Sequence, residues 1–174
     1  MHLLRAQSAD LPDIAALVNA AYRGESARRG WTYESDYIGG QRTDVATLQR
    51  DLTARPQALL LLARAAADGD LLGCVWLEPA GGDAWYLGML TIRPDLQARG
   101  LGRALLAAAE AAAAEQGASR MRMTVINIRD TLIAWYERRG YARTGEVQKF
   151  PYEDERFGVP ERDDLSFVVL EKSL

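Results

Sequence analysis

Six consecutive residues, Gln97-Ala98-Arg99-Gly100-Leu101-Gly102, carry the clearest chemistry in the chain. They follow an apolar stretch, Trp85–Arg93, closed by Pro94, and they open an alanine-rich stretch over Gly100–Gln116. That order predicts a strand, a short loop with two close glycines, and a helix start. The first N–H groups of a helix have no intrahelical partner, and the helix dipole favours negative charge beside them, so such a turn suits an anion. Gly100 and Gly102 let the backbone approach closely, the amides from Gln97 to Arg103 can face oxygens, and Arg99 and Arg103 add charge.

Other reactive groups are sparse. The one cysteine, Cys74, reads as a small buried strand residue, and the one histidine, His2, lies in a predicted N-terminal strand. A Cys–His or Ser–His–Asp mechanism would need His2 to come to the site, and no Cys/His cluster is available for a metal. A net charge of -3 argues against a nucleic-acid partner, which needs a concentrated basic face; Arg28-Arg29 and Arg138-Arg139 are short clusters. No apolar run reaches membrane-span length, and Met1–Arg5 lacks the layout of a signal peptide, so a cytoplasmic, reducing location is the expectation.

The elements that must position the loop follow from periodicity. His2–Gln7 reads as a strand, and Ser8 can cap a helix with Leu11, Ile14, Leu17, Val18 and Ala21 on one face. Arg23–Arg42 has no clean period; Thr43 can cap a short helix beyond it. Ala58–Arg64, Leu71–Glu78 and Trp85–Arg93, separated by turn signals, predict an antiparallel meander. Arg120–Ile126 is a strand, Asp130 or Thr131 starts a helix ended by Gly140, and Tyr141–Lys149 and Leu165–Leu170 are the last strands. The 174 residues, 48% hydrophobic and 26% charged, form one domain over 1–174, without repeat or linker. The fold class is α/β, with helices interleaved among mostly antiparallel strands.

Leu87-x-x-Leu90-x-Ile92-x-Pro94 leading into Gln97-x-x-Gly100-x-Gly102 resembles the central motif of the GNAT superfamily of N-acetyltransferases. Ala134-Trp135-Tyr136-Glu137-Arg138-Arg139-Gly140-Tyr141 is similar to that family's later segment, at the expected separation. The resemblance covers nearly the whole chain. It implies a mixed, mostly antiparallel sheet of about six to seven strands flanked by helices, with acetyl-CoA as cosubstrate and no metal. It implies that the loop holds the pyrophosphate of CoA, that the backbone of Leu90 and Ile92 pairs with the pantetheine arm, and that Tyr136 protonates the departing thiolate. Trp135 reads as packing. Many relatives place an asparagine where this chain has Arg129; Asn127 lies two residues earlier, and either residue could reach CoA.

The acceptor is less legible. A primary amine is mostly protonated at neutral pH, with a pKa of about 10.4, and must lose a proton before attack. Trp85–Ile92 holds no carboxylate, which leaves Glu34, Glu78 or a water relay as base. In the resembled family the segment after the first helix borders the acceptor groove. There Glu34 could hold an ammonium, Arg42 a carboxylate, and Trp31 or Tyr33 form a wall. Phe150-Pro151-Tyr152 and Arg162-Asp163-Asp164 could form the other rim or a contact with a second copy of the chain. Two competing readings are a non-catalytic CoA sensor of the same fold and a transferase for another acyl-CoA.

Overall fold

Leu59–Arg64 and Leu71–Pro79 are runs of apolar residues too short for helices, and they pair as interior strands of a sheet. The computed structural model describes residues 1–174. In chain order its elements are β1 (His2–Arg5), α1 (Leu11–Tyr22), α2 (Gly24–Ala27), β2 (Ile38–Gly39), α3 (Val45–Ala54), β3 (Leu59–Arg64), β4 (Leu71–Pro79), β5 (Ala84–Ile92), α4 (Leu101–Glu115), β6 (Arg120–Ile126), α5 (Asp130–Glu137), β7 (Ala142–Lys149), β8 (Val159–Pro160) and β9 (Ser166–Ser173). Seven strands form one sheet in the order β1-β3-β4-β5-β6-β9-β7. Only β5 and β6 run parallel; every other neighbouring pair is antiparallel. The expected α/β class, meander and strand number are all present.

The sheet is covered on both faces. On one, Leu105, Leu106, Ala109 and Ala113 of α4 and Ile133 of α5 pack on Leu61, Val75, Leu87 and Met123. On the other, Ile14, Leu17 and Val18 of α1 and Leu48 of α3 pack on Leu60, Leu62, Cys74 and Trp76. Both faces of the central strands are therefore apolar, which is why their sequences run on without alternation. Burial pushes the Cys74 thiol up to about 12.

Local rules set the ends, with some departures from expectation. Ser8 begins a single 3-10 turn, Ser8–Asp10, and α1 starts after it with Pro12 in its first turn. Asp44 caps α3 in place of Thr43, its Oδ1 accepting the Thr47 N–H at 2.6 Å, because it stands directly before the helix. α4 ends at Gly117, in left-handed conformation, with Gly117 N–H bonded to Ala114 O at 2.9 Å and Ala118 N–H to Ala113 O at 3.1 Å.

Two features were not expected. A short ribbon pairs Ile38–Gly39 with Val159–Pro160, tying the segment after α2 to the long connection before β9. β5 also carries a bulge. Trp76 faces Gly88 and Cys74 faces Thr91, so one β4 residue opposes Met89 and Leu90, and Met89 takes φ 52.

Candidate active site

The loop before α4 is shaped by left-handed residues. Ala98 has φ 62 and Gly100 φ 82, and Gly100 is the residue directly before the helix. Alternating backbone hands of this kind gather N–H groups into a concave anion site at the helix N-terminus. A Cβ on Gly100 would meet nothing within 4 Å, so a substitution there is opposed by backbone conformation alone. Gly100→Ala is expected to cost about 1–2 kcal/mol in a urea titration.

Gln97 braces this loop. Its Oε1 accepts the Trp31 N–H at 3.1 Å and its Nε2 donates to Ile92 O at 3.2 Å. A Cβ on Gly30 would come within 2.5 Å of the carboxamide oxygen, so a larger residue at that turn would displace the Gln97 side chain from its two partners. Gln97→Ala is expected to speed amide hydrogen exchange at Trp31 and to cost about 1–2 kcal/mol.

A cavity of about 240 Å³ lies over the loop, bordered by Gly100, Gly102, Arg103, Trp31, Trp135 and Arg139. Arg139 stacks on Trp135, its guanidinium carbon 3.6 Å from the ring centroid, and Trp31 lies 6.3 Å from Trp135. Trp135, read from sequence as packing alone, therefore also walls this cavity. Arg99 and Leu101 do not line it, and Arg99 is exposed.

A second cavity, of about 400 Å³, opens beside it because β5 and β6 separate. Their parallel pairing spans only Ala84–Tyr86 against Arg120–Arg122. Beyond it, Leu87–Leu90 and Met123–Ile126 face each other across the gap as its walls. Tyr86 bridges the strands near the point of separation, its hydroxyl 3.0 Å from Thr124 Oγ1. On β5, Leu90 O accepts the Tyr22 hydroxyl at 3.1 Å and Ile92 O accepts Gln97 Nε2, leaving each oxygen a second lone pair.

Tyr136 stands where the two cavities meet and lines both, as do Tyr22, Leu90, Arg129 and Leu132. The ring is 6% exposed and packs edge-on to Trp135 and Tyr141. Its hydroxyl makes no hydrogen bond to a protein group, unlike those of Tyr22, Tyr37, Tyr86, Tyr141 and Tyr152. Burial, reinforced by Tyr22 and partly countered by Arg129, raises its pKa well above that of a free phenol, so it stays protonated.

Glu34 corrects an expectation. It is 6% exposed and clamped between Arg23 and Arg129, with Arg129 Nη1 donating to its Oε1 at 2.8 Å. Burial acts to raise its carboxyl, but Arg129, then Arg23 and Arg42, overcome that and hold it below the ordinary carboxylate value. A carboxylate so held takes no proton at neutral pH, although Glu34 still lines the strand gap. Glu34 ties the segment after α2 to Arg23 of the α1 end and to Arg129 before α5.

Other expected residues separate. Arg129 donates to Glu34 and, through Nη2, to Thr32 Oγ1 at 2.7 Å, so it braces the wall between the cavities, both of which it lines. Asn127 is spent on the chain before β9, donating to Asp164 O and accepting from Ser166 N, each at 3.0 Å, because it ends β6 beside that strand. Trp31 borders the loop cavity, away from the strand gap, and Tyr33 lines neither. Glu78 pairs with Arg55 at 3.0 Å in a neighbouring groove. Arg42, Phe150 and Pro151 do line the strand gap. Sequence reasoning missed Tyr22 and Arg23, which directly follow the apolar face of α1.

The model of the "Acetyltransferase (GNAT) family" matches residues 18–141, which include the loop, both strands that border the gap and Tyr136. The mycothiol acetyltransferase of Clavibacter michiganensis is 43% identical over 84 residues, which are 48% of this chain and 27% of that relative. The matched region thus spans about a quarter of the relative's length. Among solved structures, ribosomal-protein-alanine N-acetyltransferase from Brucella melitensis aligns with TM-score 0.70 and 19% identity over 100% of both chains. A putative acetyltransferase from Salmonella typhimurium with its cofactor acetyl-CoA aligns with TM-score 0.70 and 18% identity, over 100% of this chain and 94% of that one. These likenesses speak for the fold. With the family's model covering most of the chain, from within α1 to the residue before β7, the protein belongs to the GNAT family of acetyltransferases.

Proposed function

We propose that the protein transfers an acetyl group from acetyl-CoA to a primary amine by direct attack. The observation that carries this reading is the position of Tyr136, which lines both the loop cavity and the strand gap and whose hydroxyl has no protein partner. The left-handed turn at Ala98 and Gly100, with Arg103 beside it, suits a pyrophosphate. The side of β5 facing the gap has no neighbouring strand beyond Tyr86, and so suits an amide-bearing chain laid along it. The amine enters through the strand gap and reaches the thioester carbonyl beside Tyr136.

In the transfer, the amine nitrogen forms a bond to the carbonyl carbon and the carbon–sulfur bond breaks. The sulfur gains a proton, and the amine's surplus proton leaves to water. Tyr136 serves the sulfur. Its raised pKa makes it a persistent hydrogen-bond donor to the developing thiolate, more than a free acid. Holding the amine and thioester together supplies much of the rate.

Calorimetric titration with acetyl-CoA, followed by thiol release over a panel of amines, tests the reading. Saturable binding and amine-dependent thiol release are expected. Absence of binding at millimolar acetyl-CoA overturns it, and binding without release on any amine makes the protein a sensor.

A further inference from the structure

The strand gap is strongly one-sided in charge. Arg23, Arg42, Arg129 and Lys149 line it, against the single carboxylate of Glu34. That carboxylate is already shared by Arg23 and Arg129. What faces a ligand is therefore the remainder. Arg42, half-buried, has a guanidinium with no ion pair or hydrogen bond in the protein, and the exposed Lys149 at the opposite side has none either. Arg23 adds a second sign of unmet demand, for its buried Nε has no partner although the residue is 6% exposed.

The geometry points to an acceptor that is a small amine bearing an oxyanion, foremost an α-amino carboxylate, with the oxyanion held by Arg42. This rests on the acetyl-transfer reading above and names the substrate class of that site. A guanidinium fork matches the two oxygens of a carboxylate, or those of a phosphonate, which offers the same chemistry. The gap, of about 400 Å³, has the size of a small-molecule site, and the segment Phe150–Pro151 with Phe157 walls its outer side.

The same charge addresses the problem that Glu34 leaves open. A positive surrounding disfavours an ammonium and so lowers the pKa of a bound amine. The acceptor is thus delivered with its nitrogen already biased toward the free base, and water suffices to remove the proton. A site of this sign also repels polyamines and aminoglycosides, whose several ammonium groups would meet Arg42 and Lys149 with nothing to neutralise them.

The test compares thiol release from acetyl-CoA with four matched acceptors: an α-amino acid, its aminophosphonate analogue, its carboxamide and its decarboxylated amine. A side chain series is run for each, beside spermidine and an acidic peptide with a free N-terminus. We expect kcat/KM for the carboxylate to exceed that for the carboxamide by at least about tenfold. Arg42→Gln should collapse that ratio toward one by lowering the carboxylate's value, while calorimetric binding of acetyl-CoA is retained. A phosphonate preferred over the carboxylate, again dependent on Arg42, supports an oxyanion site and identifies the other source. Equal or faster turnover of the carboxamide, of spermidine or of the peptide overturns the inference and leaves the transferase reading intact. A ratio unchanged in Arg42→Gln also overturns it. Failure of acetyl-CoA to bind overturns both, and acetyl-CoA binding with no turnover of any anionic amine overturns the acceptor class.

Discussion

Tyr136→Phe is expected to lower kcat by about 10²–10³-fold while leaving the affinity for acetyl-CoA and the stability of the fold nearly unchanged. The substitution is clean because the hydroxyl has no protein partner to orphan, and the ring keeps its edge contacts with Trp135 and Tyr141. A tyrosine that merely filled space would give full turnover as phenylalanine. Pre-steady-state thiol release separates chemistry from product release, and the loss should fall on the chemical step. The pH profile adds a second reading. The Tyr136 pKa is raised, so the phenol stays protonated through about pH 10, the ordinary tyrosine value. A fall in rate below that pH therefore belongs to another group, and Tyr136→Phe should leave its midpoint in place.

Arg129→Met is expected to destabilise the fold by about 3 kcal/mol, because it leaves the buried Glu34 with one partner where it had two, and strips Thr32 of its donor. In a chain of this length that is a fall of about 6–12 °C in melting temperature. The sign with pH follows from the direction of the Glu34 shift. Its folded pKa is depressed, so its contribution is present above the unfolded value of about 4.3 and is lost as pH falls through the lower folded value. Without Arg129 the effect of burial, which raises the carboxyl, is opposed mainly by Arg23. Acid unfolding should then begin at a higher pH in the variant. Adding Glu34→Gln to Arg129→Met should lower stability further, since it takes from the buried Arg23 its only carboxylate partner. If the single variant melts as the native protein does, the triad contributes no stability.

Local signals in the sequence reveal the loop before α4. Gly100 must be glycine for its own backbone, and Gln97–Gly102 is contiguous, so a short window reveals the turn. Trp135, read as packing, lies on the same helix face as Tyr136. Leu132, Trp135, Tyr136 and Arg139 stand at helical spacing and all line the loop cavity, so they form one stripe of α5 and its extension. The strand gap depends on partners far apart in the chain. Glu34 and Arg129 are separated by 95 residues, and nothing near Glu34 in sequence announces that two arginines will converge on it. A free carboxylate beside aromatic residues and a buried, doubly paired one have the same local sequence. The ribbon of β2 and β8, two residues in each strand, is too short for any periodicity to show. The bulge at Met89 uses a residue that rarely takes a positive φ, so composition gave no hint of it.

The separation of β5 from β6 bears on how the molecule comes apart. Only three residue pairs join the block β1-β3-β4-β5 to the block β6-β9-β7 within the sheet, although α4 and α5 pack across both. The chain therefore contains a seam, where each block keeps its own ladder and the two share little backbone bonding. A molecule laid along the free side of β5 and touching α5 would act as a rung across that seam. It would couple the melting of the two blocks, so that cooperativity of unfolding, and not midpoint alone, reports occupancy of the site.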